Sequence, residues 1–114
     1  MEYRVDERSM TVSQMWQYGA SRGGDYYSDI ISDVDILPRT RHRLITSGSI
    51  RHSENGPHAY VTEITYPGAE TVFEARIGFR DAHSSVAAGG WGNIDIVYRA
   101  ERLSLYPGIP REVR

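Results

Sequence analysis

Four arginines that lie close together in the chain have the side chains best suited to binding chemistry: Arg39, Arg41, Arg43 and Arg51. If residues 38–43 are extended, the first three project to one side, about 7 Å apart. A guanidinium donates two parallel hydrogen bonds to a carboxylate or a phosphate. The spacing therefore predicts a basic ridge that binds an acidic protein surface or phosphate groups.

An acidic counterpart to this ridge precedes it in the chain. Asp25, Asp29 and Asp33 recur at intervals of four residues, which places them on one face if the segment is helical. The two patches can pair within one molecule, remain solvated, or join identical copies head to tail into a ring. We interpret them as an interface between copies. Four amphipathic aromatic residues, of the kind enriched at interfaces, complete the expected contact: Tyr26, Tyr27, Trp91 and Tyr106.

The sequence offers weaker support for catalysis. His52, Glu54 and His58 include the ligand types of a zinc or iron site, but their loose spacing is equally typical of a solvated hairpin tip. The chain has no cysteine, and neither residues 47–49 nor residues 84–85 have the G-x-S-x-G pattern of an exposed nucleophile. We therefore expect no catalytic residue, no metal site and no cofactor, and a protein that is not an enzyme.

Local patterns place the acidic half of the chain, residues 1–37, in helices. Residues 11–14 have the form of a capping box, and apolar residues follow at helical intervals through residue 19. A second helix is expected from Asp25, a good N-cap residue, until the chain reaches Pro38.

From residue 43 onward the apolar residues recur with a period of two. Arg43–Ile50 and residues 94–105 are expected to be strands, and residues 58–79 a β-hairpin in which Phe73 and Ile77 face the core. The fold class is therefore predicted as α+β. The N-terminal helical segments pack on an antiparallel sheet of four to five strands in residues 38–106, and residues 107–114 form a tail. All 114 residues are expected to make one domain.

Composition narrows the possible functions. The net charge of −2 argues against a dedicated nucleic-acid-binding protein, and no apolar run approaches the length of a membrane span. The charged N-terminus does not have the form of a signal peptide. All 13 basic side chains are arginine, which reflects either partner binding or codon usage.

Residues 36–50 resemble a segment of the tail-completion and neck proteins of long-tailed bacteriophages. In that family a helical part leads to a proline, a polar turn, a leucine and then serine-glycine opening a sheet, as at Pro38, Leu44, Ser47 and Gly48 here. Arg41-His42 departs from the Thr-Gly that the family usually has. The resemblance implies a ring-forming virion protein, assembled in the host cytoplasm. Its partners would be copies of itself and other virion proteins, with DNA nearby, no sequence-specific DNA binding and no membrane.

A second region, residues 66–92, resembles the small β-barrels of the allene oxide cyclase and dirigent type. This alternative implies a cyclase, isomerase or binding protein for an apolar small molecule. Such a barrel needs about eight strands, more than the sequence predicts.

Overall fold

Two antiparallel sheets make up most of the part of the chain that the computed structural model describes, residues 1–79 and 95–104. The strands are β1 (Glu2–Asp6), β2 (Thr11–Trp16), β3 (Ser32–Ile36), β4 (Arg43–Ile50), β5 (His58–Ile64) and β6 (Thr71–Gly78). The first two form a hairpin, and the other four form a sheet in the order β3-β4-β5-β6, which we call the main sheet. The helical structure of the described residues is one 3₁₀ helix, Ala20–Asp25, interrupted at Gly23. The predicted α+β class is therefore wrong, because the described part is almost all β.

The first predicted helix is strand β2. It pairs with β1 in an antiparallel register that sets Val5 opposite Val12, and the carboxylate of Asp6 accepts backbone hydrogen bonds at the turn. A helix of fewer than about 12 residues is marginal in water, and an N-cap contributes only about 1 kcal/mol. Pairing with β1 therefore outweighs the local capping signal.

The second predicted helix is divided between the end of the 3₁₀ helix and strand β3. Asp33, Val34, Asp35 and Ile36 alternate in type, and β3 pairs along its whole length with β4. The strand turns the two aspartates to one face of the sheet and the two apolar side chains to the other. The acidic stripe at four-residue intervals consequently does not form.

The later strands agree with the sequence. Arg43–Ile50 is a strand, and residues 58–79 contain the expected hairpin, with Thr62 opposite Glu74. Strands β4 and β5 are central in the main sheet and mostly buried on both faces. Their side chains supply most of the core, together with one tyrosine from outside the sheet: Tyr26, Ile45, Ile50, Tyr60 and Ile64.

One face of the main sheet, which we call the aromatic face, bears Ile45, Tyr60 and Thr62. It is covered by side chains that follow the first hairpin. The ring of Tyr18 meets that of Tyr26 edge to face at 5.6 Å, and Tyr26 lies 5.5 Å from Tyr60. Such aromatic contacts stabilise by more than their buried area alone.

The opposite face is crossed by residues 95–104, which we call the covering segment. Its Val97 N–H donates to the carbonyl of Gly48 at 3.0 Å, and its Ala100 N–H donates to the hydroxyl of Thr46 at 3.0 Å. The predicted strand at 94–105 thus lies on β4 without forming a regular ladder over its described part.

The expectation that Phe73 and Ile77 of β6 face the core is wrong. Phe73 is 52% exposed and Ile77 is 39% exposed, because β6 is the edge strand and the described contacts of the covering segment are with β3, β4 and β5. In residues 1–79 and 95–104, no helix has the length and apolar character needed to cross a membrane.

Candidate functional site

A cluster built around one arginine lies on the aromatic face. The guanidinium of Arg22, carried by the 3₁₀ helix, stacks on Tyr26 at 4.0 Å and lies 4.8 Å from the ring centre of Tyr60. It also binds both carboxylate oxygens of Glu74, at 2.5 and 3.0 Å. The hydrogen bonds between the two groups lower the pKa of Glu74 and raise that of Arg22. Because both terminal nitrogens of Arg22 bind within the molecule, we assign it to holding the 3₁₀ helix on the sheet.

An apolar groove of about 550 Å³ lies beside this cluster, between the 3₁₀ helix and strands β3 and β4. The groove is lined largely by aromatic and aliphatic side chains, including Tyr18, Tyr26, Tyr27, Val34 and Ile45. Burial raises the pKa of Tyr26, so this phenol stays neutral. No acidic or basic side chain is among the described residues that line the groove, which therefore suits an uncharged aromatic group.

A buried carboxylate lies on the opposite face. Glu63 is 4% exposed, and its Oε1 accepts hydrogen bonds from Nδ1 of His42 at 2.8 Å and from Nη1 of Arg102 at 3.0 Å. The two donors come from the turn before β4 and from the covering segment. Glu63 therefore links that segment to the sheet and fixes the orientation of the His42 ring.

A second cavity, of about 510 Å³, opens between the turn that joins β3 to β4 and the covering segment. We call it the basic-turn cavity. Two arginines, two hydroxyl residues and three apolar residues line it: Arg39, Arg102, Thr40, Ser104, Leu37, Pro38 and Leu103.

The four arginines of the expected ridge do not share one surface. Arg43 is only 6% exposed, donates to Glu2 at 3.1 Å, and stacks on Tyr66 at 3.7 Å. Arg51 pairs with Asp29 at 2.5 Å within the same molecule. Arg39 and Arg41 are exposed, and Arg41 has a positive φ of 62° on the turn before β4.

The other expected interface residues are also dispersed. Asp25 accepts hydrogen bonds from Ser53 and Asn55, and its pKa is lowered by them. Asp33 lies 3.8 Å from Arg99 of the covering segment. Tyr26 is buried in the core and Tyr27 is 68% exposed, while Trp91 and Tyr106 lie outside the described residues. A contact between copies of the chain remains a prediction.

The possible metal ligands do not converge. The ring nitrogens of His58 contact the carbonyl oxygens of Gly56 at 2.7 Å and Asp25 at 3.2 Å, while His52 and Glu54 are exposed. Within the two described ranges, no group of three or more histidine, cysteine or acidic side chains is placed to hold a metal ion.

One G-x-S-x-G spacing does occur in the chain, at Gly19–Gly23. Its Ser21 is exposed on the 3₁₀ helix, with no hydrogen bond to a histidine in the part of the chain that the structure describes. The strand-to-helix elbow that activates such a serine is therefore not formed.

Comparison with known proteins identifies a family. The arylsulfotransferase (ASST) family model matches residues 1–85. Arylsulfate sulfotransferase AssT from Escherichia coli O6:H1 is 49% identical over 76 residues, which are 65% of this chain and 13% of that protein. The enzyme of the same name from Lelliottia amnigena is 38% identical over 68 residues, 58% of this chain and 11% of that protein. The chain thus spans only about one eighth of the length of these relatives. No solved structure matches the chain.

These matches overturn the phage resemblance, which covered only residues 36–50. The expected virion function and virion location are wrong, and so is the expectation that the protein is not an enzyme, because the matching family is one of sulfotransferases. The small-barrel cyclase alternative has no support either. The family match includes all six strands, from β1 to β6, and the chain belongs to the arylsulfotransferase family.

Proposed function

We propose that this chain serves the transfer of a sulfo group from an aryl sulfate to an acceptor hydroxyl. In this reaction the bond between sulfur and the aryl oxygen breaks, and the released oxygen takes up a proton to leave as a phenol. The acceptor oxygen forms the new bond to sulfur and gives up its proton. The observation that carries the proposal is the 49% identity over 76 residues to an arylsulfate sulfotransferase.

The apolar groove on the aromatic face supports this function. Its volume of about 550 Å³ is larger than a single phenolic ring requires, and no acidic or basic side chain lines it in the described part. Tyr18, Tyr26 and Tyr27 offer ring edges and faces against which an aromatic substrate can pack. A neutral phenol, whether acceptor or product, is the reactant that fits such a wall.

The first hairpin supports the proposal that this chain acts as part of a larger enzyme. An isolated two-stranded hairpin is marginally stable in water, yet β1 and β2 leave Tyr3, Val5, Val12 and Met15 exposed. The relatives are about eight times longer than the matched segment. We infer that these apolar side chains pack against further polypeptide of such an enzyme, and that sulfo transfer needs both parts.

A segment exchange tests the proposal. The 76 matched residues of the Escherichia coli relative are replaced by the corresponding residues of this chain, and 4-nitrophenol release from 4-nitrophenyl sulfate is measured with phenol as acceptor. We expect the exchanged enzyme to retain sulfo transfer. A second exchange that also carries Gly48→Val should lose it, because the added side chain at this buried position crowds Ile31, whose methyl carbon would lie 3.2 Å from the new Cβ.

The proposal fails if the exchanged enzyme folds, with the melting temperature of its parent, and releases no more 4-nitrophenol than buffer does. Equal activity in the Gly48→Val exchange would show that the segment makes no structural contribution to transfer.

A further inference from the structure

The outer edge of β6 has no strand beside it among residues 1–79 and 95–104, although the strand is eight residues long. Proteins usually protect an edge of this length with charges, bulges or a covering element, because an open edge pairs with other strands. Here Phe73 is 52% exposed and Ile77 is 39% exposed. The edge is therefore apolar on one face and open to a partner strand.

The backbone of β6 determines which of its groups a partner strand can bind. The N–H of Phe79 donates to the carbonyl of Pro57, just before β5, at 3.1 Å, and the register with β5 is regular over residues 73–78. Successive residues of a strand direct their N–H and C=O groups to opposite sides, so every second residue before Phe79 also faces β5. The residues between them, Glu74 and Arg76, direct their backbone groups to the outer edge.

This backbone permits only some alignments of β6 with β6 of a second copy. In an antiparallel pair, outward-facing residues of one strand must lie opposite outward-facing residues of the other. One such alignment sets Glu74 opposite the same residue of the second copy, and another does so for Arg76. Like charges directly opposite each other destabilise a sheet. The alignment between these two is centred on Ala75, and it sets Glu74 opposite Arg76 twice.

Both faces of β6 are complementary in the alignment centred on Ala75. On the aromatic face, Arg76 is exposed and donates to the Asn55 carbonyl at 2.9 Å with only one of its five N–H groups, so others can reach Glu74 of the second copy. On the opposite face, Phe73 lies against Ile77 of the second copy. Cross-strand pairs of an aromatic and a β-branched residue stabilise antiparallel strands.

The carboxylate of Glu74 can serve both copies. It binds Arg22 through both oxygens, and its Oε2 also accepts the hydroxyl of Thr62 at 3.0 Å. An ionised carboxylate has about four acceptor positions. Its Oε1 therefore keeps one position for Arg76 of the second copy.

The other edge of the main sheet, β3, is unsuited to the same contact. The N–H of Gly48 donates to the carbonyl of Ile31 at 2.9 Å, so Asp33 and Asp35 direct their backbone groups toward β4. Any antiparallel self-pairing that overlaps the centre of β3 then sets an aspartate opposite an aspartate. An antiparallel head-to-tail pairing of β3 with β6 sets the same aspartates opposite the apolar residues of β6. Charge therefore favours the pairing of β6 with itself.

We propose that two copies of this chain associate through β6, antiparallel and about a two-fold axis at Ala75. The two main sheets become one sheet, with four strands from each copy. The two pairs of Glu74 and Arg76 each exchange two backbone hydrogen bonds, about four in all. This contact requires no step of the proposed sulfo transfer, so either can hold without the other.

Oxidative cross-linking of the whole chain tests the alignment. The chain has no cysteine, so Ala75→Cys introduces a single thiol, which the axis sets opposite its counterpart at a separation that a disulfide can span. The two thiols lose two protons and two electrons to oxidised glutathione. Ile77→Cys is the matched control on the same face, because its two thiols would lie four residues apart along the strands, about 13 Å.

We expect the disulfide-linked dimer to form at least about tenfold faster in Ala75→Cys than in Ile77→Cys. Equal rates, or faster cross-linking of Ile77→Cys, would refute the alignment.

Sedimentation equilibrium measures the association without a cross-link. The mass of the unsubstituted chain should rise with concentration from 12.9 kDa toward twice this value. Arg76→Glu sets acids opposite acids and should weaken the dimer at least about tenfold. Arg4→Glu makes the same charge change at an exposed position of β1 and should weaken the dimer less than about twofold.

A folded chain that stays monomeric at every concentration, or equal effects of Arg76→Glu and Arg4→Glu, would overturn the proposal. A dimer that is weakened by Val12→Asp and not by Arg76→Glu would overturn it as well, because the copies would then meet through the first hairpin.

Discussion

The covering segment passes so close to Gly48 of the main sheet that this position gives the sharpest test of the fold. A Cβ atom at this position would lie 1.9 Å from the carbonyl oxygen of Val97 and 3.2 Å from a methyl carbon of Ile31. The first contact is with backbone, which cannot rotate away as a flexible side chain can. Gly48→Ala therefore requires the covering segment to move by about 1 Å or more.

The cost of this movement follows from the contacts it breaks. Val97 and Ala100 each donate one backbone hydrogen bond to β4, and each bond contributes about 0.5–1.5 kcal/mol. Arg102 would also shift away from the buried carboxylate of Glu63. We expect Gly48→Ala to lower the free energy of unfolding by about 2–4 kcal/mol, which corresponds to a fall in melting temperature of roughly 10–25 °C.

Urea denaturation measures the loss, and amide hydrogen exchange locates it. In Gly48→Ala the amides of Val97 and Ala100 should lose protection, while those of the β5–β6 hairpin retain it. Gly24→Ala is the matched control, because an added Cβ there meets nothing within 4 Å and should change stability by less than about 0.5 kcal/mol. A Gly48→Ala protein as stable as this control, with the two amides still protected, would refute the placement of the covering segment.

Three further substitutions test individual side-chain contacts. Glu74→Gln should lower stability by about 1 kcal/mol at pH 7. Because the pKa of Glu74 is lowered in the folded state, its contribution is present above the ordinary value of 4.5 and is lost as the pH falls through the folded pKa. Denaturation curves should therefore converge with those of the unsubstituted protein in acid, and a difference that persists there would contradict the ion pair. Ile50→Ala, at a fully buried position, should cost about 2–5 kcal/mol by urea denaturation, against less than about 1 kcal/mol for the exposed Ile30→Ala. Arg43→Lys should cost about 1–2 kcal/mol in thermal melts, since an ammonium cannot reproduce both the stacking on Tyr66 and the forked hydrogen bonding; unchanged stability would show that this guanidinium is dispensable.

Much of the candidate site could not be predicted from local pattern because its contacts are remote in sequence. Arg22 binds Glu74 across 52 residues, and Arg43 binds Glu2 across 41. The spacing of the arginines in the sequence does not show which guanidiniums form ion pairs within the molecule and which do not. Arg39 and Arg41 were among the expected binding residues, but their distinction from Arg43 and Arg51 depends on the folded structure. The family itself was not visible in the fifteen residues on which the phage resemblance rested.

The sequence by itself determined the strand β4 and the hairpin of β5 and β6. Apolar and β-branched residues recur there with a period of two, and both strands of the hairpin are near neighbours in the chain. Pairing between such neighbours needs little loop-closure entropy, so local pattern and final structure agree.

Only the tertiary structure decided that residues 11–16 and 32–36 are strands rather than helices. Their short patterns satisfy a helical spacing as well as an alternating one, and neither segment can form a stable helix alone. β1 offers one of them a partner, and β4 offers the other a sheet edge. The tertiary structure also left Phe73 and Ile77 exposed, because the covering segment crosses β4 rather than the edge strand. Alternation along a strand distinguishes its two faces, but only the neighbouring parts of the fold determine which face is buried.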